Sequence, residues 1–172
     1  MAVTATVFPT TVAAATGSAW TNTANATGPT TGTVATFTTA TGGAVGTLQL
    51  SAYDAQTAIG AQPGSIDSIS LDAKQYVGTV ARWSAASVQL YSGTTPIGTA
   101  QALTLSAATG NVQTVTFTGA NLPTWAQLAD LQVRFSATKS GTTSSTFNVD
   151  TAGLTVTTTP VGGYPRFMPF FP

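Results

Sequence analysis

Apolar residues in this chain recur at every second position. In LADLQVRFSATKS, Leu131, Val133, Phe135 and Ala137 share one parity, and Gln132, Arg134, Ser136 and Thr138 share the other. That alternation predicts a strand with one face in a core and the other in water. The same reading applies to SIDSISLDAKQYV (Ile69, Leu71 and Ala73 against Ser68, Ser70, Asp72 and Lys74) and to VQTVTFTG (Val115 and Phe117 against Thr114, Thr116 and Thr118). It applies again to SVQLYSG, with Val88 and Leu90 inward, and to GTLQLSAY, with Leu48 and Leu50 inward. In TFNVDTAGLTVTTT the inward set changes parity between Phe147/Val149 and Leu154/Val156, which places a bulge or kink near Ala152-Gly153.

Turn residues separate these runs: Gly42-Gly43, Ser92-Gly93-Thr94, Thr109-Gly110-Asn111 and Ser140-Gly141-Thr142. Short, evenly spaced strands between such turns predict an all-β fold, a jelly-roll β-sandwich. One segment departs from period two. In NLPTWAQLADL, Trp125, Leu128 and Leu131 recur at three-residue steps behind Thr124, which predicts one short helix of a turn or two closing an end of the sandwich. Residues 21–44 are low in complexity, and only Val34-Ala35-Thr36-Phe37 reads as strand there. The domain spans 1–159, and 160–172 is a separate extended tail, because four prolines remove the N–H groups a sheet needs.

Composition narrows the function. Thr makes up about a fifth of the chain, and charged residues only 6%, against roughly 25% in an average soluble protein. Five Lys plus Arg balance five Asp, with no Glu and no His, for a formal net charge of zero. Such a surface has little charge repulsion, so the chain is expected to live in an assembly, with homo-oligomeric contacts. Lys74, Arg82, Arg134, Lys139 and Arg166 are scattered, which argues against a nucleic-acid partner. No run approaches the ~18 apolar residues of a membrane helix, and the N-terminal segment lacks the basic and apolar regions of a secretory signal.

Catalysis lacks its usual groups. Without His or Cys no Ser-His-Asp triad, cysteine nucleophile or thiolate metal site can form. Asp54, Asp67, Asp72, Asp130 and Asp150 show no paired spacing, so the chain reads as a non-enzyme with no cofactor and no metal. A Ca2+ site drawn from Asp67, Asp72 and the Asn148–Thr151 segment lacks a D-x-D-x-D spacing. The preferred reading has Asp150 hydrogen-bonding backbone at the strand bend. Trp20, Trp83, Trp125, Tyr53, Tyr76 and Tyr91 are candidate sugar platforms, although large aromatics more often pack cores and sandwich ends. Arg82 beside Trp83 is a candidate cation–π pair.

The tail YPRFMPFFP concentrates three of the nine prolines and three of the eight phenylalanines. Proline pre-orders an extended chain, so docking costs little entropy. Tyr164, Arg166, Phe167, Met168, Phe170 and Phe171 are therefore the predicted partner-binding residues.

The segments ATFTTATGGAVGTLQLSAY, SIDSISLDAKQYV, VARWSAASVQLYSGTTPIGTAQALTLS and TWAQLADLQVRFSATKSGTTSSTFNVDTAGLTVT, in that order, resemble small β-sandwich virion proteins of tailed actinobacteriophages, called minor tail proteins. The resemblance covers roughly residues 5–159 and is most specific in LADLQVRFSATKS and FNVDTAGLTVT; that pattern also occurs in jelly-roll sugar-binding modules. It implies a non-catalytic structural protein of the phage particle, in the tail or decorating the capsid, with other virion subunits as partners. The alternative is a carbohydrate-binding module that aids adsorption to a host envelope, with a host glycan as ligand.

Overall fold

The alternation along the chain is realised as eleven strands in a computed structural model that describes residues 2–15, 19–29 and 32–161. They are β1 (Val3–Val7), β2 (Thr11–Ala14), β3 (Trp20–Thr21), β4 (Ala35–Thr39), β5 (Val45–Ser51) and β6 (Ser65–Val77). After them come β7 (Trp83–Ser92), β8 (Thr95–Ala102), β9 (Val112–Phe117), β10 (Leu131–Lys139) and β11 (Ser145–Thr159). One sheet has the order β3-β4-β11-β6-β9, with β1 also paired to β11; the other has the order β2-β5-β10-β7-β8. All pairings are antiparallel, and the whole is the all-β jelly-roll sandwich expected from the sequence.

The core lies between the sheets and is built from the parities read above. Leu48, Leu50, Val88, Leu90, Val133 and Phe135 come from one sheet; Ile69, Leu71, Ala73, Phe147, Val149, Leu154 and Val156 come from the other. Each is fully buried, and each large side chain contributes ~1.5–3 kcal/mol relative to exposure. At one end of the sandwich four rings join the layers. Trp20 stacks on Phe37 at 5.8 Å, and Trp83 meets Phe37 and Phe147 edge-on or tilted at 6.1 and 5.9 Å. The Trp83 indole N–H donates to the Ser145 hydroxyl at 3.1 Å, so its polar end is satisfied inside the core.

The cation beside Trp83 is not the neighbour in sequence. Arg82 donates to the Ser144 carbonyl at 2.6 Å, and Lys139 brings its ammonium 6.0 Å from the Trp83 ring centre. Lys139 continues the inward parity of Ala137, is 1% exposed and donates to the carbonyls of Ser140 and Gly141, while the register shift between Thr138 and Lys139 adds Ser84 to β7 and brings Trp83 inward opposite it.

The parity change in β11 also has a different origin from the one expected. The strand is continuous from Ser145 to Thr159, and its pairing with β6 shifts between Val149 and Thr151. The extra residue is therefore Asp150, not Ala152-Gly153. Its side chain is 2% exposed, and Oδ2 lies 2.7 Å from the Lys74 ammonium. Gly153 serves a separate purpose: the Phe8 ring lies where its Cβ would be, at 2.9 Å. The far end of β11 is tied to the start of β6 through Asp67. Its carboxylate accepts the Ser65 hydroxyl at 2.6 Å and the Thr159 hydroxyl at 2.7 Å, and these bonds hold it below the usual carboxylate range.

Among the described residues there are two short α-helices where one was expected, besides three single-turn 3-10 helices. α1 (Ala55–Ile59) follows β5, and α2 (Trp125–Leu128) occupies the NLPTWAQLADL segment. α2 starts with a full capping box: Thr124 Oγ1 accepts the Gln127 N–H, and the Gln127 side chain accepts the Thr124 N–H. Gln56 of α1 donates to the Trp125 carbonyl at 2.6 Å, which joins the two helices. α1 has no side-chain cap, and Ala55 is its single buried residue, so neither periodicity nor capping announces it.

Two stability tests follow from these contacts. The Phe37 ring sits directly against Gly46, leaving no room for a Cβ. Gly46→Ala is expected to lower stability by ~1–3 kcal/mol through overpacking, read as a lower thermal midpoint. Asp150→Ala is expected to cost ~3–5 kcal/mol in urea unfolding by stranding the Lys74 charge, whereas the apolar double replacement Lys74→Met with Asp150→Leu recovers most of that loss.

Candidate functional site

The outward parity of the five-stranded sheet forms a polar surface. β10 pairs with β5 on one side and β7 on the other, and this register aligns two rows across three strands. One row is Gln49–Arg134–Gln89; the next is Thr47–Ser136–Ser87. Tyr91 stands opposite Gln132, one step along β7 from Gln89 on the same face. All of these except the more buried Gln132 are half-buried, because they pack against one another on the sheet.

Direct contacts tie the rows together. The Arg134 guanidinium lies over the Tyr91 ring, 3.9 Å from its centre, a diagonal cross-strand pair with cation–π geometry. Arg134 Nη2 donates to the Gly93 carbonyl at 3.0 Å and to Gln132 Oε1 at 3.3 Å. Gln89 donates to the Gly98 carbonyl at 3.0 Å and accepts from the Tyr91 hydroxyl at 3.4 Å. Thr47 and Ser136 share a hydroxyl–hydroxyl bond of 3.2 Å. Arg134 Nε is buried and has no hydrogen-bond partner among the described residues.

These side chains line an open hollow of about 390 Å3, walled mainly by Thr47, Ser87, Gln89, Tyr91, Arg134 and Ser136. That volume falls in the ~300–1,000 Å3 range of small-molecule sites. The lining presents hydroxyls and amides that both donate and accept, one aromatic ring and one cation. It contains no carboxylate.

Two other hollows are less suited to a ligand. One of about 390 Å3 lies on the opposite sheet, between Phe8, Pro29, Val112, Asp72 and Lys74. Asp72 accepts from Thr114, Lys74 pairs with Asp150, Thr151 donates to the Gly28 carbonyl, and Phe8, Pro29 and Val112 make much of the remaining lining apolar. It is the seam where the N-terminal segment lies on the sheet. A smaller one of about 180 Å3 lies beside α2, between Trp125, Pro123, Pro63 and Ile66.

The six candidate aromatic platforms thus separate. Trp83 and Tyr53 are buried, and Trp20 belongs to the aromatic cluster. Tyr76 lies on the opposite sheet, paired with Asn148, and Trp125 borders the α2 hollow. Tyr91 is the member that reaches the polar hollow. The Ca2+ ligand candidates do not converge: Asp67 is held by Ser65 and Thr159, Asp72 by Thr114, and Asp150 by Lys74. The described residues contain no cluster of three or more Asp, Glu, His or Cys, and no helix among them is long and apolar enough to cross a membrane. The tail residues Tyr164, Arg166, Phe167, Met168, Phe170 and Phe171 lie outside the described residues.

Sequence reasoning named Arg134 as a polar-face residue and Tyr91 as one of six aromatics, but did not pair them. It placed Ser136 on the same polar face without assigning it a role, and passed over Gln89, Gln49, Thr47 and Ser87. The available signal was the outward parity of the same strands whose inward parity defined the core.

No protein-family model and no curated protein matches the sequence. Solved structures resemble it in fold. CBM4, a carbohydrate-binding module, aligns over 88% of this chain and 92% of its own, at 12% identity and a TM-score of 0.46. TmCBM61 in complex with β-1,4-galactotriose aligns over 84% and 86%, at 8% identity and a TM-score of 0.41. A Stig cyclase, Fisc from Fischerella sp. TAU, aligns over 92% and 77%, at 16% identity and a TM-score of 0.48. These neighbours include both binding modules and an enzyme, and similarity at this level extends to the sandwich shape alone.

Proposed function

We propose that this protein is a carbohydrate-binding module whose ligand lies on the outer face of the five-stranded sheet. The observation that carries the reading is the chemistry of the hollow around Tyr91. Its walls are side chains that donate and accept hydrogen bonds, with one aromatic ring among them and no carboxylate. A sugar offers hydroxyls of both kinds in a ring, which matches amide and hydroxyl partners better than it matches an apolar cleft. The hydroxyls of Thr47, Ser87 and Ser136 and the amide of Gln89 are the polar contacts in this reading. The Tyr91 edge is the apolar one. Adsorption to a glycan-rich envelope is the setting this reading supports.

A second reading, a virion subunit of tail or capsid, draws on the charged content of only 6% and on the tail residues Tyr164, Arg166, Phe167, Met168, Phe170 and Phe171 as an anchor for neighbouring subunits. A near-neutral surface favours association, and proline-ordered aromatics suit docking. The resemblance to minor tail proteins points the same way, and the two roles are compatible in one chain. Removing residues 162–172 is expected to abolish incorporation into particles; normal incorporation overturns the anchor.

The glycan reading is tested by calorimetric titration of the full chain against a panel of neutral and acidic oligosaccharides. Gln89→Ala and Tyr91→Ala are expected to weaken binding about tenfold or more, while Trp125→Ala in α2 leaves it unchanged. Tyr91→Ala removes a half-exposed ring and one cation–π contact, so its stability is expected to fall by only ~1 kcal/mol, and the binding loss is then not a folding defect. No binding across the panel, or binding indifferent to Gln89 and Tyr91, overturns the reading.

A further inference from the structure

Within the glycan-binding reading, on which this inference rests, we propose that the saccharide is acidic: Arg134 receives a sugar carboxylate, as in a uronic-acid glycan. Arg134 is the one charged side chain lining the hollow. It makes no ion pair among the described residues, where the recorded pair is Lys74 with Asp150 on the opposite sheet. Asp130 is exposed and packs its carboxylate against Gly93, beyond salt-bridge distance of the guanidinium.

The guanidinium is held but not neutralised. Nη2 is committed to the Gly93 carbonyl and to Gln132, the Tyr91 ring covers one face, and Nε is buried without a partner among the described residues. Neutral acceptors orient a cation but leave its charge uncompensated, and a half-buried charge loses part of its hydration. An incoming carboxylate supplies the missing counter-charge through charge-assisted hydrogen bonds, which are about twice as strong as neutral ones. The stack on Tyr91 and the bond to Gly93 pre-orient the guanidinium, so little side-chain freedom is lost on binding. The Gln89 amide and the hydroxyls of Ser87 and Ser136 lie beside it in the same hollow, where hydroxyl and carbonyl oxygens can accept a further bond from a sugar hydroxyl.

The experiment compares uronic-acid oligosaccharides, such as oligogalacturonate and alginate fragments, with their carboxyl-reduced neutral counterparts and with a sulfated oligosaccharide, by calorimetry on the full chain. The acidic forms are expected to bind about tenfold or more tightly than the reduced forms, with the preference shrinking as salt rises. Arg134→Gln is expected to erase the preference while retaining the weak neutral binding, and Arg134→Lys to keep part of it; unchanged circular dichroism and thermal midpoints establish that both variants fold. Equal binding of acidic and reduced forms, lost together in Gln89→Ala, overturns the acidic inference and leaves the glycan reading standing. Sulfated sugar binding as tightly as uronate overturns the carboxylate assignment. Absence of binding to every saccharide overturns both this inference and the reading beneath it.

Discussion

Strict alternation along antiparallel strands is the constraint on which both the core and the candidate site depend. When β10 turns Val133 and Phe135 into the sandwich, it must turn Arg134 and Ser136 out. When β7 buries Val88 and Leu90, it must present Ser87, Gln89 and Tyr91. The site is therefore the complement of the core, and a slip of one residue in register would exchange the two. The same backbone bonds that align Phe135 with Leu48 and Val88 align Arg134 with Gln49 and Gln89.

Departures from alternation are few and have identifiable causes. The bulge at Asp150 lets β11 change its inward parity, and the buried carboxylate this creates is compensated by Lys74. A bulge at Ser84 in β7 turns Trp83 inward opposite Lys139, whose place on the inward parity buries its ammonium against the carbonyls of the following turn and the Trp83 ring. Both are costly groups made tolerable by close partners. Arg134 differs. It is positioned by neutral groups and an aromatic ring, without an anionic partner among the described residues. In a chain with so few charges, that uncompensated cation in a polar hollow is the feature that distinguishes one sheet face from the other.

The scarcity of charge shapes function in a second way. Asp67 and Asp72 accept hydroxyls and Asp150 pairs with Lys74, so the hollow on the five-stranded sheet offers hydroxyls, an amide, one aromatic ring and one guanidinium. Those are the means by which a sheet surface recognises a polyol. The fold alone does not assign that role, because one sandwich architecture hosts many unrelated functions.

The sequence by itself determined the fold class, the strands carrying Leu131–Ala137, Ile69–Ala73 and Val88–Leu90, and the short capped helix at Trp125. These are local signals: parity over a few residues and one capping box. It also showed that β11 changes parity, but misplaced the bulge by about two residues, because the extra residue is defined by pairing with β6 and not by composition. The lysine over Trp83 and the guanidinium over Tyr91 were decided only by the tertiary structure. Lys139 lies far from Trp83 along the chain, as Arg134 does from Tyr91, and strand register brings each pair together. Long-range pairing depends on how strands order themselves into sheets. Alternation within a strand records which face is wet, but not which residues of other strands share that face.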